Sequence, residues 1–151
     1  MLTFGQILVR LIIGTILSGL IGLERESKHK PAGLRTNMLV GLSATLAMII
    51  PSYLNTLTTT DITHVIAGMV TGIGFLGAGS IIRDQGEVHG ITTAATILVV
   101  AIVGLASGLG YFSAAIITTL IVLIILYFLA NDKIKSGINH NGSETEKEKK
   151  I

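Results

Sequence analysis

The sequence contains no cysteine and few charged residues. Without cysteine, it can form neither a disulfide framework nor a thiolate metal site. Only 13% of the residues are charged, whereas an ordinary soluble domain carries about 25%. Disorder needs low hydrophobicity and high net charge, but half of this chain is hydrophobic, its net charge is +2 and its mean hydropathy is +0.73. The composition therefore indicates a small membrane protein.

Long runs without Asp, Glu, Lys or Arg support this class. Residues 36–60, 62–82 and 88–131 carry no such side chain, and a helix needs roughly 20 apolar residues to cross the hydrocarbon core. The third run is long enough for two spans, with a break predicted at Gly108-Leu109-Gly110. The sequence therefore predicts an all-α integral membrane protein, a compact bundle of about five transmembrane helices. The predicted spans cover residues 4–23, 37–57, 64–82, 91–109 and 111–130.

The basic residues of the loops predict an orientation. They fall between the first two spans, after the third span and in the tail, all on one side of a five-span bundle. By the positive-inside rule, the N-terminus is outside and the C-terminus inside. The first span has no basic residue before Arg10, so we expect a retained helix rather than a cleaved signal peptide. Four spans with a re-entrant segment form the alternative topology.

The polar segment 131–151 has too little apolar content to fold alone. We expect a disordered cytoplasmic tail, with a partner-binding tail as the alternative.

Small residues recur every four positions in three of the predicted spans. In lipid, such residues let helix backbones approach closely. They indicate packing within the bundle or, alternatively, a face for a homo-oligomer or another membrane protein. The third span also matches GxGxxG, but a dinucleotide site needs a preceding strand in a soluble unit, so we reject that interpretation. The helix-packing residues are Gly14, Ser18, Gly22, Gly68, Gly72, Gly74, Gly77, Gly79, Gly104 and Gly108.

Charged and hydroxyl residues at the span ends form a candidate functional cluster. A partly buried ion-pair network of Glu24 and Glu26 with Arg35 and Arg83 would close the floor of the bundle, because an unpaired charge at a span end is costly. The alternative is a set of separately solvated loop charges. Lys28 is expected to remain solvated without a partner. The candidate cluster consists of Glu24, Arg25, Glu26, Arg35, Thr36, Arg83, Thr92 and Thr93.

Three local predictions concern other polar residues. Thr36 or Asn37 is a plausible N-cap for the second span. Arg10, inside the first span, either extends to the interface or makes a buried pairing. Asp61 and His64 offer a weak cation-binding or pH-sensing pair, for which flanking loop polarity is the simpler explanation.

Four segments together resemble the MgtC/SapB family of bacterial inner-membrane proteins. The segments are 22–26 (GLERE), 31–36 (PAGLRT), 72–79 (GIGFLGAG) and 90–95 (GITTAA), and the resemblance covers about residues 4–130. It implies a five-span, N-out and C-in protein of the bacterial inner membrane. Longer members carry a C-terminal cytoplasmic domain resembling an ACT module, and this sequence corresponds to the transmembrane domain alone.

The resemblance also implies a function. Family members are associated with magnesium limitation, acid stress and, in some pathogens, survival inside host cells. They are regulatory, and some bind other membrane proteins, among them the F-type ATP synthase and a P-type magnesium pump. Members linked to ATP synthase tend to carry Asn where this chain has Thr92.

Two functions from different classes follow. The first is a non-enzymatic regulator that docks on another membrane protein within the lipid bilayer. The second is a transporter or channel for Mg²⁺, K⁺, H⁺ or a small solute, although Mg²⁺ prefers oxygen ligands and carboxylates occur only near span ends. No nucleophile–base pair, metal-ligand cluster or phosphate loop is present in the sequence. We therefore expect no enzymatic activity, cofactor, metal site or nucleic-acid partner.

Overall fold

The computed structural model describes residues 2–54, 62–84 and 87–128. These residues form five α-helices and one two-stranded β-hairpin. Four helices, α1 to α4, are long and apolar enough to cross a membrane, and α5 is a shorter apolar helix. The predicted all-α membrane bundle is confirmed, whereas the hairpin was not predicted. The elements are α1 (Phe4–Ser27), α2 (Leu34–Leu54), α3 (Ile62–Gly79), β1 (Ile82–Asp84), β2 (Glu87–His89), α4 (Ile91–Leu109) and α5 (Phe112–Phe128).

The observed helix boundaries agree best with the predicted ones where glycine ends a long apolar run. Helix α4 has the predicted bounds, and Gly110 provides the predicted break before α5 with a left-handed φ of 88°, which glycine adopts without steric cost. Helix α1 extends to Ser27, beyond the predicted residue 23. Hydrophobicity marks only the membrane-embedded part of a helix, and the charged last turn continues beyond it. The predicted tail, 131–151, lies outside the described residues.

Helix α3 ends before the predicted residue 82. The amide of Ser80 donates to the carbonyl of Gly77 at 3.0 Å, and that of Ile81 donates to Ala78 at 3.1 Å. These tighter turns close the helix, and the chain then enters β1, which pairs antiparallel with β2 through Arg83 and Val88. Glycine is a poor helix former and β-branched isoleucine favours strands, which accounts for the early end.

The centre of the bundle is the close packing of α1, α2 and α4. A Cβ atom at Gly104 would lie 2.6 Å from the carbonyl oxygen of Gly41, and one at Gly108 would lie 2.5 Å from that of Thr45. The Thr45 hydroxyl also donates to the carbonyl of Gly104 at 3.0 Å, which joins α2 to α4. Backbone-to-backbone contact of this kind is possible only where side chains are absent.

The predicted small residues of α1, Gly14, Ser18 and Gly22, also pack against α2. A Cβ atom at Gly14 would overlap the Thr45 hydroxyl, and Ser18 fills the space beside Gly41. A Cβ atom at Gly22 would lie 2.8 Å from the Cα of Leu34. All three predicted α1 residues therefore contact α2 within the chain.

The surface of the bundle is apolar and its interior contains hydroxyl and amide groups. Ile12, Leu46 and Ile121 are among many large hydrophobic side chains that are exposed. An apolar surface of this extent fits contact with lipid tails rather than water. Inside, Ser107 and Thr119 donate to the carbonyls four residues earlier in their own helices, so their hydroxyls are satisfied without another helix.

Contacts between helix ends define the two ends of the bundle. Arg25, near the end of α1, bonds to Thr93 at the start of α4, and Lys28 lies over the Tyr127 ring near the end of α5. The predicted functional cluster therefore lies at one end. At the opposite end, Arg10 donates to Gly108 near the end of α4.

Candidate functional site

Four segments of the chain line a cavity of about 400 Å³ between α2, α3 and α4. They are the loop before α2, the start of α2, the end of α3 and the start of α4. The end of α1 lies next to the cavity, because Arg25 bonds to the lining residue Thr93. The lining residues are Pro31, Ala32, Thr36, Val40, Phe75, Leu76, Gly79, Ser80, Thr93 and Ile97.

Arg25 is the most deeply buried charged side chain of the described residues. It is 6% exposed, and its Nη2 donates to the Thr93 hydroxyl at 3.1 Å. Its Nε has no hydrogen-bond partner. The contact ties the last turn of α1 to the first turn of α4 through two residues that are 68 positions apart along the chain.

Glu26 caps α2 rather than pairing with an arginine. Its Oε2 accepts a hydrogen bond from the backbone amide of Leu34 at 2.7 Å, the first residue of α2. A carboxylate is stabilising there because the amides at a helix N-terminus are unpaired and carry positive partial charge. The prediction that Thr36 or Asn37 caps this helix is wrong, because both lie inside it. The buried Asn37 amide instead donates to the carbonyls of Ala32 and Gly33 and holds the preceding turn.

Glu24 and Lys28 form an ion pair one helical turn apart on α1. Lys28 Nζ lies 3.5 Å from Glu24 Oε1 and 5.2 Å from the centroid of the Tyr127 ring. The prediction that Lys28 has no partner is therefore wrong. Spacing of four residues places the two side chains on the same helix face, a signal that the sequence contains. Both Glu24 oxygens are buried without a hydrogen bond.

The predicted ion-pair network does not form among the described residues. Ion pairs there join Lys28 to Glu24 and His89 to Glu87, and none joins either predicted carboxylate to Arg35 or Arg83. Both arginines are exposed, Arg35 on α2 and Arg83 on β1. The physical reason is that nearer partners take the carboxylates: the Leu34 amide for Glu26 and Lys28 for Glu24. Thr92 is exposed in the first turn of α4.

Arg10 is partly buried and bonds to the backbone of α4. Its Nη1 donates to the carbonyl of Gly108 at 2.6 Å, in the last turn of α4, where the free carbonyls favour a cation. His64 is an exposed residue of α3, and Asp61 lies outside the described residues.

Comparison with known proteins identifies the family of this chain. The family model described as the MgtC family matches residues 11–133. The chain belongs to the MgtC family. It is 37% identical over 127 residues to the "Putative magnesium transporter YhiD" of Escherichia coli K12, which covers 80% of this chain and 59% of that protein. No solved structure matches the chain.

Two further relatives come from other bacteria. Protein MgtC of Brucella abortus is 41% identical over 110 residues, covering 73% of this chain and 45% of that protein. Protein SapB of Bacillus subtilis is 37% identical over 133 residues, covering 82% of this chain and 56% of that protein. The chain spans about half the length of these curated relatives. Family membership and four apolar helices make it a multi-pass membrane protein, in contact with the lipid bilayer.

The glycines of α3 differ from those of the other helices of this MgtC-family chain. Among the described residues, a Cβ atom at any of four of them would meet no atom of another element within 4 Å, whereas Gly77 packs against Ala94 on α4. Of the five α3 glycines predicted to pack helices, Gly77 therefore lies against α4 in the structure and the other four face open space. The helix is nevertheless continuous, and the rejected GxGxxG motif lies inside it. The four open glycines are Gly68, Gly72, Gly74 and Gly79.

The outward face of α3 is a stripe of small residues with one aromatic side chain. At 3.6 residues per turn, Gly68, Gly72, Phe75 and Gly79 lie within roughly 60° of one another around the helix. The buried residues of α3, Ile73 and Gly77, lie on the opposite side. Phe75 is 81% exposed. We call Gly68, Gly72, Phe75 and Gly79 the α3 face.

Sequence analysis missed two residues that organise the interior, Gly41 and Thr45, and gave a third, Asn37, the wrong role. Gly41 and Thr45 on α2 contact both α1 and α4, and the fully buried Asn37 anchors the turn before α2. Their signal is present in the sequence. Asn37 and Thr45 are polar residues within a long apolar run, where a polar group needs an internal partner.

Proposed function

We propose that this MgtC-family chain is a non-enzymatic regulator of the bacterial inner membrane. In this proposal it binds another membrane protein through the α3 face in adaptation to low magnesium or acid stress. The observation that carries the proposal is the α3 face: a Cβ atom at any of its three glycines would meet no atom of another described element within 4 Å. Five glycines within α3 each cost helix propensity by about 1 kcal/mol relative to alanine. Close contact with a second helix would offset that cost, as it does for the glycines of α4.

The proposed orientation has the N-terminus outside and the C-terminus inside. It is supported by the basic residues Lys28, Lys30 and Arg35 at the end of the bundle that carries Arg25 and Thr93. Under the positive-inside rule, that end is cytoplasmic. The chain, or residues 1–130 of it, then acts as the transmembrane domain, with α5 as the fifth span and 131–151 as a cytoplasmic tail.

Transport of magnesium is the competing function, and it is favoured by the printed name of the Escherichia coli relative. The described residues offer few ligands for a magnesium ion. No group of three His, Asp or Glu side chains in the described ranges could hold a metal ion, and no carboxylate lines the 400 Å³ cavity. Because Mg²⁺ requires oxygen ligands and sheds water reluctantly, an apolar path lacking carboxylates would conduct it poorly.

Photocrosslinking in native membranes tests the binding proposal. A photoreactive residue replaces Phe75 on the α3 face or, as a matched control, the exposed Ile121 on α5. We expect a discrete adduct with a different membrane protein from position 75 alone, and its loss when Gly72→Leu is added. An adduct at twice the chain mass of 15.9 kDa would identify a second copy instead and would contradict a regulator that acts on another protein.

A liposome assay separates regulation from transport. Purified chain is reconstituted and the flux of Mg²⁺, K⁺ and protons is measured under an imposed gradient. The proposal predicts flux equal to that of empty liposomes from chain shown to be folded. Flux that is lost in Gly72→Leu would establish transport through α3 and overturn the proposal.

A further inference from the structure

The β1–β2 hairpin has two open edges. Among the described residues its strands pair with each other and with no other strand, and no backbone hydrogen bond joins them to another element. In an antiparallel pair, alternate residues turn their amide and carbonyl groups away from the paired strand, so each outer edge presents unpaired groups. All six side chains are exposed. Since a lone two-stranded hairpin is only marginally stable in water, a third strand would stabilise it.

One face of the hairpin brings two carboxylates together. Asp84 lies directly opposite Glu87, and like charges in this position are destabilising. Arg83 is paired with Val88 and lies on the other face, because successive side chains of a strand alternate. His89 Nε2 lies 3.6 Å from Glu87 Oε2, but a neutral imidazole does not balance two carboxylates. This acidic face favours a third strand whose side chains on the same side are basic.

The chain contains a segment with this pattern outside the described residues. Residues 133–135 read Lys-Ile-Lys, so an extended segment would place both lysines on one face and Ile134 on the other. With Ile134 opposite Val88 in an antiparallel register, Lys135 faces Glu87, and Lys133 is within diagonal reach of the same carboxylate. Two β-branched side chains then meet on the opposite face, which is a favourable pair in a sheet.

The position of α5 allows this segment to reach the hairpin. Helix α5 ends at Phe128, at the end of the bundle where β2 leads into α4. The two helices pack against each other, and the axes of packed helices are about 8–10 Å apart. The five residue steps from Phe128 to Lys133 span up to about 17 Å. Because α5 runs toward this end and β2 runs back from it, a strand that follows α5 is antiparallel to β2.

We propose that residues 133–135 bind along the outer edge of β2 as a third antiparallel strand. The edge of β2 is nearer than that of β1, because β1 follows α3, which packs against α2 and α4, whereas α5 packs against α1 and α4. The two lysines neutralise the acidic face, and Ile134 covers Val88, which is 49% exposed. This edge is separate from the α3 face, so its binding of the C-terminal segment does not depend on the proposed partner.

The absence of cysteine allows a crosslinking test in the full chain, reconstituted in lipid nanodiscs. Val88→Cys is combined with Ile134→Cys or, as a matched control, with Ile138→Cys, and a short bifunctional thiol reagent is added. Facing Cβ atoms of paired strands are about 5 Å apart, so we expect the 88–134 pair to be joined within one chain about tenfold faster than the 88–138 pair. Both proteins carry the same altered hairpin, so its folding does not distinguish them.

Two outcomes of this comparison would overturn the proposal. Equal rates for the two pairs would mean that residue 134 is not held beside β2. An 88–134 adduct at twice the chain mass of 15.9 kDa would mean that the segment of a second copy, rather than the chain's own, occupies the edge.

Reversed charges then test whether the acidic face selects the segment. Adding Lys133→Glu and Lys135→Glu to the 88–134 pair should lower its crosslinking rate about tenfold. Lys147→Glu with Lys149→Glu, the same change in net charge farther along the tail, should leave the rate unchanged. In Lys135→Glu alone, adding Glu87→Lys restores an opposite pair and should recover the rate. Equal rates in the two doubly reversed chains would contradict the proposed charge pairing.

Discussion

Glycines at the same spacing have different surroundings in α4 and α3. On α4, Gly104 and Gly108 are covered by the backbone of α2, so a methyl group at either position would lie about as close as a hydrogen-bonded atom. On α3, Gly68 and Gly72 have open space around them. The comparison teaches that a spacing of four residues defines a helix face but not what that face contacts. In α4 the face holds the fold together, and in α3 it is available to a partner.

The two regions also differ in how much of each helix is buried. Only Ile73 and Gly77 of α3 are buried, whereas ten residues of α4 are buried. Removing or altering the outward side of α3 should therefore cost the fold little. Any change along the buried side of α4 should destabilise the fold much more.

The largest expected effect is that of a methyl group in the packed region. Gly104→Ala places a carbon 2.6 Å from the carbonyl of Gly41, so α2 and α4 must separate. Overpacking of this kind typically costs about 1–3 kcal/mol. Thermal unfolding in detergent should show a clearly lower midpoint than for the unaltered chain. An unchanged midpoint would mean that the close helix contact is not needed for the fold.

A smaller effect is expected at the cap of α2. Glu26→Ala removes the acceptor for the Leu34 amide and should lower the free energy of unfolding by about 1 kcal/mol. Glu26→Gln retains an acceptor oxygen and should recover part of the loss. Chemical unfolding monitored by circular dichroism measures both, with the exposed Lys30→Ala as control. If all three variants unfold alike, the Glu26 side chain does not stabilise α2.

The hydrogen bond between α2 and α4 should contribute less to the free energy of unfolding than the cap of α2 does. Thr45→Val keeps the shape of the side chain but removes the donor to the carbonyls of Gly41 and Gly104. Such bonds between membrane helices contribute about 0.6 kcal/mol on average. Thr71→Val, which removes only a bond within α3, is the matched control. A loss equal in the two variants would show that Thr45 adds nothing beyond its own helix.

The smallest effect is expected on the α3 face. Gly72→Ala adds a methyl group where no atom of another described element lies within 4 Å and improves helix propensity. The unfolding midpoint of the purified chain should stay the same or rise slightly. A fall comparable to that of Gly104→Ala would place Gly72 in a packed interface and would remove the contrast between the two helices.

The sequence predicted the helices better than it predicted the contacts of their ends. The end of helix α4 was predicted because its apolar run contains glycine at the break, and Gly110 does adopt left-handed backbone there. The end of α3 was missed because the apolar run continues through Ile82 into a strand, and hydropathy does not distinguish an apolar strand from an apolar helix.

The polar cluster shows a second limit of sequence reasoning. Opposite charges in neighbouring loops suggested that Glu26 would pair with Arg35, but a backbone amide lies nearer and takes the carboxylate. Charge type predicts attraction, whereas the partner is decided by the turn geometry around Gly33. The pair of Arg25 with Thr93 likewise depends on how α1 crosses α4, which the spacing of residues within either helix does not encode.

The central claim is that the α3 face serves function and not folding. The most direct test is Gly72→Leu in a strain that depends on this chain for growth in low-magnesium or acidic medium, measured together with the amount and unfolding midpoint of the purified protein. The account predicts normal amount and midpoint with loss of growth. Normal growth of the variant, or loss of the folded protein, would contradict it.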